Sequence, residues 1–290
     1  MSKKIAYLID SAASHYEDTK NDIFLVPLCI TDISVNPEKV YYPGIDFDLN
    51  TLKQLWEQNH KFITGQTNPN QLRTKIDFLL QEYDHIIGLP MDAKLSGTYN
   101  QWKILENEIG TDKFHVLNTL DIEYSIIFAL DDIKQYIKEN GYHPDKLDHF
   151  LMQLNTKKGS TIIVQDVTQL VRSGRLKGFR ALLVKAMKLK VLVKLDQTDG
   201  NLEFLDVRRD FKQALKRVLA YLDSRIHWKN KQIKRVGIIS TLYDDKQTQE
   251  ILKSVKNYLP KNTEIIIREM SPVIAIHTGL NTFALYIETY

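Results

Sequence analysis

Hydroxyl side chains follow several predicted strands, at points where a helix is predicted to begin. Asp10-Ser11 comes after the first strand, Thr64-Gly65-Gln66-Thr67 precedes a helix, and Ser96-Gly97-Thr98 opens another. An open parallel sheet forms its ligand crevice at the carboxyl ends of its strands. Free backbone N–H groups at a helix start, with a glycine that permits close approach, favour a carboxylate or a phosphate. The pattern predicts an anion site, although serine in such a position is also a common helix cap.

Hydrolysis is an alternative chemistry for the same residues. Ser96 as nucleophile, His277 as base and Asp10 as orienting carboxylate would make a serine-dependent lipid esterase. Ser96 lacks the G-x-S-x-G sequence of a nucleophile elbow, which argues against this enzyme. The glycines form neither common nucleotide-binding motif, and no histidine pair has helical metal-ligand spacing. We therefore predict no catalytic residue, no cofactor and no metal.

Short apolar, β-branched runs alternate with helical periodicity in both halves, which predicts an α/β fold with parallel sheets covered by helices. A helix is predicted to begin at Asn68-Pro69, where a capping side chain precedes a proline. A polar stretch over 155–160 separates predicted domains of residues 1–157 and 158–290. The predicted strands are residues 4–9, 24–30, 85–89, 114–117, 161–164, 190–195, 202–207, 236–240, 264–268 and 283–287.

The charge distribution is uneven along this chain of 290 residues, 43% of them hydrophobic and 26% charged. Residues 1–150 carry 14 basic and 23 acidic side chains, a net charge of −9. Residues 151–290 carry 25 basic and 13 acidic side chains, a net charge of +12. The basic half predicts an anionic partner or, equally, a solvated lysine-rich surface.

Composition and motifs also narrow the class of protein. The chain has no nucleic-acid recognition motif, so nucleic-acid binding is not expected, and a ligand-sensing regulator of nucleic acid is kept only as a third alternative. The longest apolar run falls short of a membrane span, and the N-terminus has no signal-peptide pattern. We therefore predict a cytoplasmic protein. The single cysteine, Cys29, excludes an internal disulfide and is predicted to lie in a core strand.

Nine segments occur in the order found in the DegV family, which includes the fatty-acid-binding subunits of bacterial fatty acid kinases. KLSGTY at 94–99, LVRSGR at 170–175 and the segment ending in PVIAIHTG at 271–279 are the most specific. The others lie at 9–11, 26–28, 42–46, 64–66, 189–190 and 207–208. The chain resembles this family over nearly its whole length. It departs from the family at Gly65, where serine is usual.

The resemblance implies a two-domain α/β protein, with an N-terminal parallel-sheet α/β/α domain and a C-terminal α/β domain that has a mixed sheet. It further implies that one long-chain fatty acid binds between the domains and is presented to an ATP-dependent kinase subunit. That kinase would convert the acid to an acyl phosphate for phospholipid synthesis, with at most transient membrane contact by this chain. By resemblance, the ligand-binding residues are Thr64, Ser96, Gly97, His277 and Thr278, and the residues facing the partner or phosphate are Arg172, Arg175 and Arg208.

Overall fold

The computed structural model describes residues 3–165, 167–176, 189–242 and 246–290. The chain forms two compact units. Unit 1 comprises Met1–Gln153 together with Ser271–Val273, and unit 2 comprises Leu154–Met270 and Ile274–Tyr290. The segment at 271–273 thus belongs to unit 1, although it lies far along the chain.

Unit 1 is built on a four-stranded parallel sheet, with strands and helices numbered here in chain order. The strands are β1 (Ile5–Asp10), β2 (Ile23–Val26), β6 (His85–Leu89) and β7 (Phe114–Val116), in the order β2-β1-β6-β7. Every residue of these strands is buried, as expected for a parallel sheet covered on both faces. The parallel sheet predicted for the first half of the chain is confirmed.

A small antiparallel sheet completes the strands described in unit 1. In it β3 (Cys29–Asp32) lies between β4 (Lys39–Tyr41) and β5 (Phe62–Gly65). The prediction of one strand over 24–30 is wrong, because that segment is divided between β2 and β3. Pro27 has no N–H to give to a sheet, and the N–H of Leu28 donates to Ser11 Oγ at 3.0 Å.

Two of the helices of unit 1 share an apolar core with the parallel sheet. Helix α2 begins as predicted, because the Asn68 side chain accepts hydrogen bonds from the N–H groups of Asn70 and Gln71 and Pro69 is the first helical residue. Its apolar face shares a core with Trp102. The helix bounds are α1 Leu49–Glu57, α2 Pro69–Leu79, α3 Thr98–Ile109, α4 Ser125–Asn140 and α5 Pro144–Asn155, the last of which crosses into unit 2.

Unit 2 contains a six-stranded mixed sheet in the order β10-β9-β8-β13-β11-β12. Its strands are β8 (Lys158–Val164), β9 (Lys190–Leu195), β10 (Leu202–Arg208), β11 (Ile233–Ser240), β12 (Ile265–Glu269) and β13 (Phe283–Thr289). β11 and β12 pair in parallel, and the other neighbours pair antiparallel. The mixed sheet implied by the family resemblance is confirmed. The alternation argument, which predicted a parallel sheet here too, is wrong.

The reason for this error lies in the connections. β9 returns directly as β10 through a short turn, which forces antiparallel pairing, and the last strand, β13, inserts between β8 and β11. Helix α7 packs on this sheet through its buried apolar stripe. The helices of the described part of this unit are α6 Thr168–Arg172, α7 Phe211–Ile226, α8 Lys246–Lys256 and α9 Pro272–Thr278, the last of which starts in unit 1. Among the described residues, none of the helices has both the length and the apolar composition that a membrane span requires.

Candidate functional site

Asp10 ends β1 and is fully buried. Its Oδ1 accepts the N–H of Ala12 and its Oδ2 accepts the N–H of Met91, both at 2.9 Å. Burial raises the pKa of Asp10 to about 6. The carboxylate thus joins the end of β1 to the loop after β6, with each oxygen accepting a backbone amide. This geometry gives Asp10 a structural role and offers no support for its role as the orienting carboxylate of an esterase.

Ser11 lies immediately after β1 and is also buried. Asp10, rather than Ser11, is the N-cap of the short 3₁₀ turn at Ser11–Ala13. The Ser11 hydroxyl accepts the N–H of Leu28, and its carbonyl accepts the Ser271 hydroxyl at 2.8 Å. Ser11 therefore joins three segments of unit 1 at the carboxyl ends of β1 and β2.

Ser96 occupies the turn that opens α3, as the sequence predicts. Its Oγ accepts the N–H of Thr98 at 3.2 Å and lies 2.9 Å from Thr98 Oγ1. Gly97 is the N-cap residue and has no capping side chain, so Ser96 supplies the local acceptor that a cap would provide. The anion-site and cap interpretations of Ser96 are thus compatible, since this half-buried hydroxyl is held at a helix start.

The loop after β5 meets this turn. Thr64 is half-buried in β5, opposite Ile30 of β3. The Gln66 side-chain amide packs so closely on Gly97 that a Cβ at position 97 would overlap it. The segment over 64–66 and the turn over 96–98 are therefore in contact, and glycine at position 97 makes that contact possible.

Thr67 fastens the same loop to α3. Its hydroxyl donates to Gln101 Oε1 at 2.7 Å and accepts from Trp102 Nε1 at 2.9 Å. Thr67 and Trp102 are both buried. Two hydroxyl-bearing segments are thus brought to one end of α3. One carries Thr64 near the end of β5 and the other carries Ser96, 32 residues later in the sequence.

Cys29 accounts for the glycine at position 65. A Cβ on Gly65 would overlap Cys29 Sγ, and this sulfur lies 3.5 Å from the Gln66 carbonyl oxygen. The thiol fills the space that a side chain at position 65 would need. Cys29 lies in a strand, as predicted, but it is half-buried at the candidate site rather than enclosed in the core.

His277 and Thr278 end helix α9. Burial, with a further contribution from the positive charge of Arg175, lowers the pKa of His277 to about 4. The imidazole is consequently neutral near pH 7. The Thr278 hydroxyl is buried and lies within hydrogen-bonding distance of the Ile274 carbonyl at 3.2 Å, so it serves the helix backbone.

The three arginines that the resemblance places at the partner or phosphate face have different surroundings. Arg172 is the exposed last residue of α6. Gly174, with a positive φ of 74°, ends that helix in a left-handed turn, and Arg175 follows it. Burial lowers the pKa of the Arg175 guanidinium. Arg208 is half-buried and pairs with Asp206 Oδ1 at 2.5 Å. Arg172 is therefore the one of the three that is presented to solvent, while Arg175 acts electrostatically on His277.

Glu123 was missed by sequence reasoning. It follows β7, the strand next to β6, so the rule that singled out Ser11 and Ser96 applies to it as well. The side chain is almost wholly buried, and burial raises its pKa to about 8. Among the described residues, no group of three or more histidine, cysteine or acidic side chains is arranged to hold a metal ion.

These features define a two-unit α/β protein with polar loops at the carboxyl ends of parallel strands. A model of a family described as uncharacterised DegV proteins matches residues 4–289. The chain belongs to the DegV family. The DegV domain-containing protein MG450 of Mycoplasma genitalium is 30% identical to it over 289 residues, which cover 99% of each chain.

Solved structures share the fold over the full length. A DegV family protein from Thermus thermophilus, described by its fatty acid binding, has a TM-score of 0.84 at 22% identity and covers 99% of this chain and 100% of its own. A DegV family protein from Eubacterium eligens, loaded with heptadecanoic acid, has a TM-score of 0.79 at 17% identity with the same coverage. These comparisons establish the α/β fold of both units.

Proposed function

We propose that this protein binds a long-chain fatty acid and that Thr64 and Ser96 donate hydrogen bonds to its carboxylate. The observation that supports this proposal is the packing of Gln66 on Gly97, which joins the segment with Thr64 to the turn with Ser96 at the start of α3. A helix start favours an anion, and two hydroxyl donors suit the two oxygens of a carboxylate. The fatty acids of the Thermus thermophilus and Eubacterium eligens proteins support this ligand class.

The tail and the head group of such a ligand contribute differently. Burying about fourteen methylenes at about 0.8 kcal/mol each gives about 11 kcal/mol before the costs of association are subtracted. A hydrogen bond to a charged group contributes about 1.5–3 kcal/mol, much of which offsets desolvation of the carboxylate. The tail therefore supplies most of the affinity, and Thr64 and Ser96 select and orient an acid.

The family resemblance adds His277 and Thr278 to the ligand-binding residues of this proposal. With its pKa lowered to about 4, the imidazole of His277 is neutral near pH 7, and the positive charge of Arg175 acts on it. Gly97 permits close approach at the helix start, and Thr278 supports the end of α9 through its bond to Ile274. No nucleophile or general base is assigned, since binding requires neither.

The native ligand provides the first test. We expect purified protein to release about one equivalent of a long-chain fatty acid, identified by mass spectrometry after solvent extraction. Tail burial makes dissociation slow enough for the ligand to survive purification. Protein that releases no fatty acid and, after delipidation, also fails to bind added palmitate would refute the proposed ligand class.

We further propose that the bound acid is presented to a separate ATP-dependent kinase in the cytoplasm and converted to an acyl phosphate. Phosphoryl transfer to a carboxylate depends on positioning and positive charge, which a binding subunit can supply without a nucleophile. Arg172 suits the partner face because it is exposed at the end of α6, in the half of the chain that carries a net charge of +12.

Arg172→Ala is expected to lower acyl phosphate formation by the cognate kinase at least about tenfold, a loss of about 1.4 kcal/mol. Its affinity for fatty acid should stay within a few-fold of wild type, because the tail dominates binding. Lys216→Ala, which removes an exposed charge from α7, is the matched control. Normal turnover by Arg172→Ala, or loss of its lipid, would exclude this role.

A further inference from the structure

Glu123 connects segments of unit 1 that are distant in sequence. Its carboxyl oxygens accept the N–H of Ser271 at 3.3 and 3.2 Å, and one of them accepts the Ser14 hydroxyl. The backbone N–H of Glu123 donates to the Ala12 carbonyl at 2.9 Å. The Ser271 hydroxyl in turn donates to the Ser11 carbonyl at 2.8 Å. The loop after β1, the loop after β7 and the segment at 271–273 are thus tied together around one carboxyl group.

This arrangement has a free-energy cost for the folded state. Glu123 has 2% of its surface exposed, and its backbone has a φ of +62°, a region that few non-glycine residues occupy. Burying a carboxyl group is unfavourable unless its oxygens are hydrogen-bonded. Ser14 and Ser271 supply these hydrogen bonds to Glu123. The buried position of its carboxyl group therefore depends on its contacts with those two residues.

Ser271 is also the residue from which α9 starts. Its Oγ accepts the N–H of Val273 at 3.3 Å, which caps the helix, while its own N–H is held by Glu123. The helix then runs without interruption from Pro272 to Thr278 and carries His277 in its last turn. Seven residues form about two helical turns. A shift of the first turn of α9 is therefore expected to move the last turn with it.

We propose that Glu123 is a positioning residue that fixes helix α9 through Ser271 and thereby sets the surroundings of His277. Its consequence for ligand affinity rests on the fatty acid site proposed above, whereas its effect on His277 does not require any ligand. Because burial keeps the carboxyl group protonated near pH 7, glutamine at position 123 reproduces both its charge and its shape.

The test is an NMR titration of the His277 imidazole in delipidated protein. Wild type and Glu123→Gln are expected to titrate alike, well below the ordinary histidine range. In Glu123→Ala, the Ser271 N–H loses its acceptor and the start of α9 is still held by the bond from the Ser271 hydroxyl to Ser11. We expect the weakened hold to let His277 gain solvent or move from Arg175, which raises its titration midpoint by at least one pH unit. If Glu123→Ala does not fold, Glu123→Met keeps the volume without the hydrogen-bonding oxygens and is measured instead.

Glu106→Ala is the matched control, because Glu106 is equally buried in unit 1 but bonds His115 rather than α9. It should destabilise the protein and leave the His277 midpoint unchanged.

Palmitate affinity should fall at least fivefold in Glu123→Ala and recover in Glu123→Gln. An unchanged His277 midpoint in folded Glu123→Ala or Glu123→Met, or an equal rise in Glu106→Ala, would overturn the positioning role. Failure of wild type to bind palmitate would refute the proposed ligand and leave the His277 result to decide the positioning role.

Discussion

Replacing Trp102 with alanine is expected to lower the free energy of unfolding of unit 1 by about 3–5 kcal/mol, the range for removing a buried aromatic side chain. Trp102 is fully buried in α3, with its ring centroid 6.3 Å from that of Phe114 in the core against the parallel sheet. Truncation would leave a cavity among these side chains. It would also remove the indole N–H that donates to Thr67, so the loop that follows β5 would lose an anchor.

Hydrogen exchange of the buried amides in β1 and β6 measures this loss, because those amides exchange only when unit 1 opens. Ile104→Ala is the control from the same helix: Ile104 is 63% exposed, and its truncation should change the unfolding free energy by less than about 0.5 kcal/mol. Equal effects of the two substitutions would show that Trp102 does not hold α3 on the sheet.

Local signals in the sequence predicted several elements of unit 1. Asn68 and Pro69 mark the start of α2 because capping and the fixed φ of proline act within a few residues. β6 is found at the predicted residues, His85–Leu89, because a strand buried on both faces reads as a continuous apolar run. In each case the physical cause of the element lies within the element itself.

The pairing between strands was harder to predict from the sequence. Nothing local to β13 specifies that it inserts antiparallel between β8 and β11, since its apolar pattern suits either direction. The sheet of β3, β4 and β5 escaped prediction because its strands are three or four residues long and only partly buried. Such strands acquire their stability from neighbours that are distant in sequence.

The candidate site was predicted in part for the same reason. Ser96 and Thr64 were proposed because each lies close to a helix start that the sequence marks, and their binding role stays a prediction. The contact of Gln66 with Gly97 depends on how two loops meet in three dimensions. The pairing of Arg208 with Asp206 likewise appears only in the structure, although the two residues are close in sequence.

The double substitution Thr64→Val, Ser96→Ala is expected to weaken the binding of a long-chain fatty acid by about tenfold to a few hundredfold. Each hydroxyl contributes about 1–3 kcal/mol at most to a charged acceptor, part of which desolvation offsets, and each 1.4 kcal/mol is a factor of ten. The fold should survive, because Thr64 and Ser96 are only half-buried and lie at the ends of elements. Thr19→Val, at an exposed hydroxyl in unit 1, should bind as wild type does.

The central claim is recognition of a carboxylate by these two hydroxyl groups, and it is tested most directly by comparing acid and alcohol ligands. Calorimetry with palmitate and with hexadecanol, on delipidated wild type and on the double variant, forms a cycle in which the tail contribution cancels. We expect the double substitution to weaken palmitate binding at least tenfold more than hexadecanol binding. Equal losses for the two ligands, or unchanged palmitate affinity, would show that Thr64 and Ser96 do not bind the carboxylate.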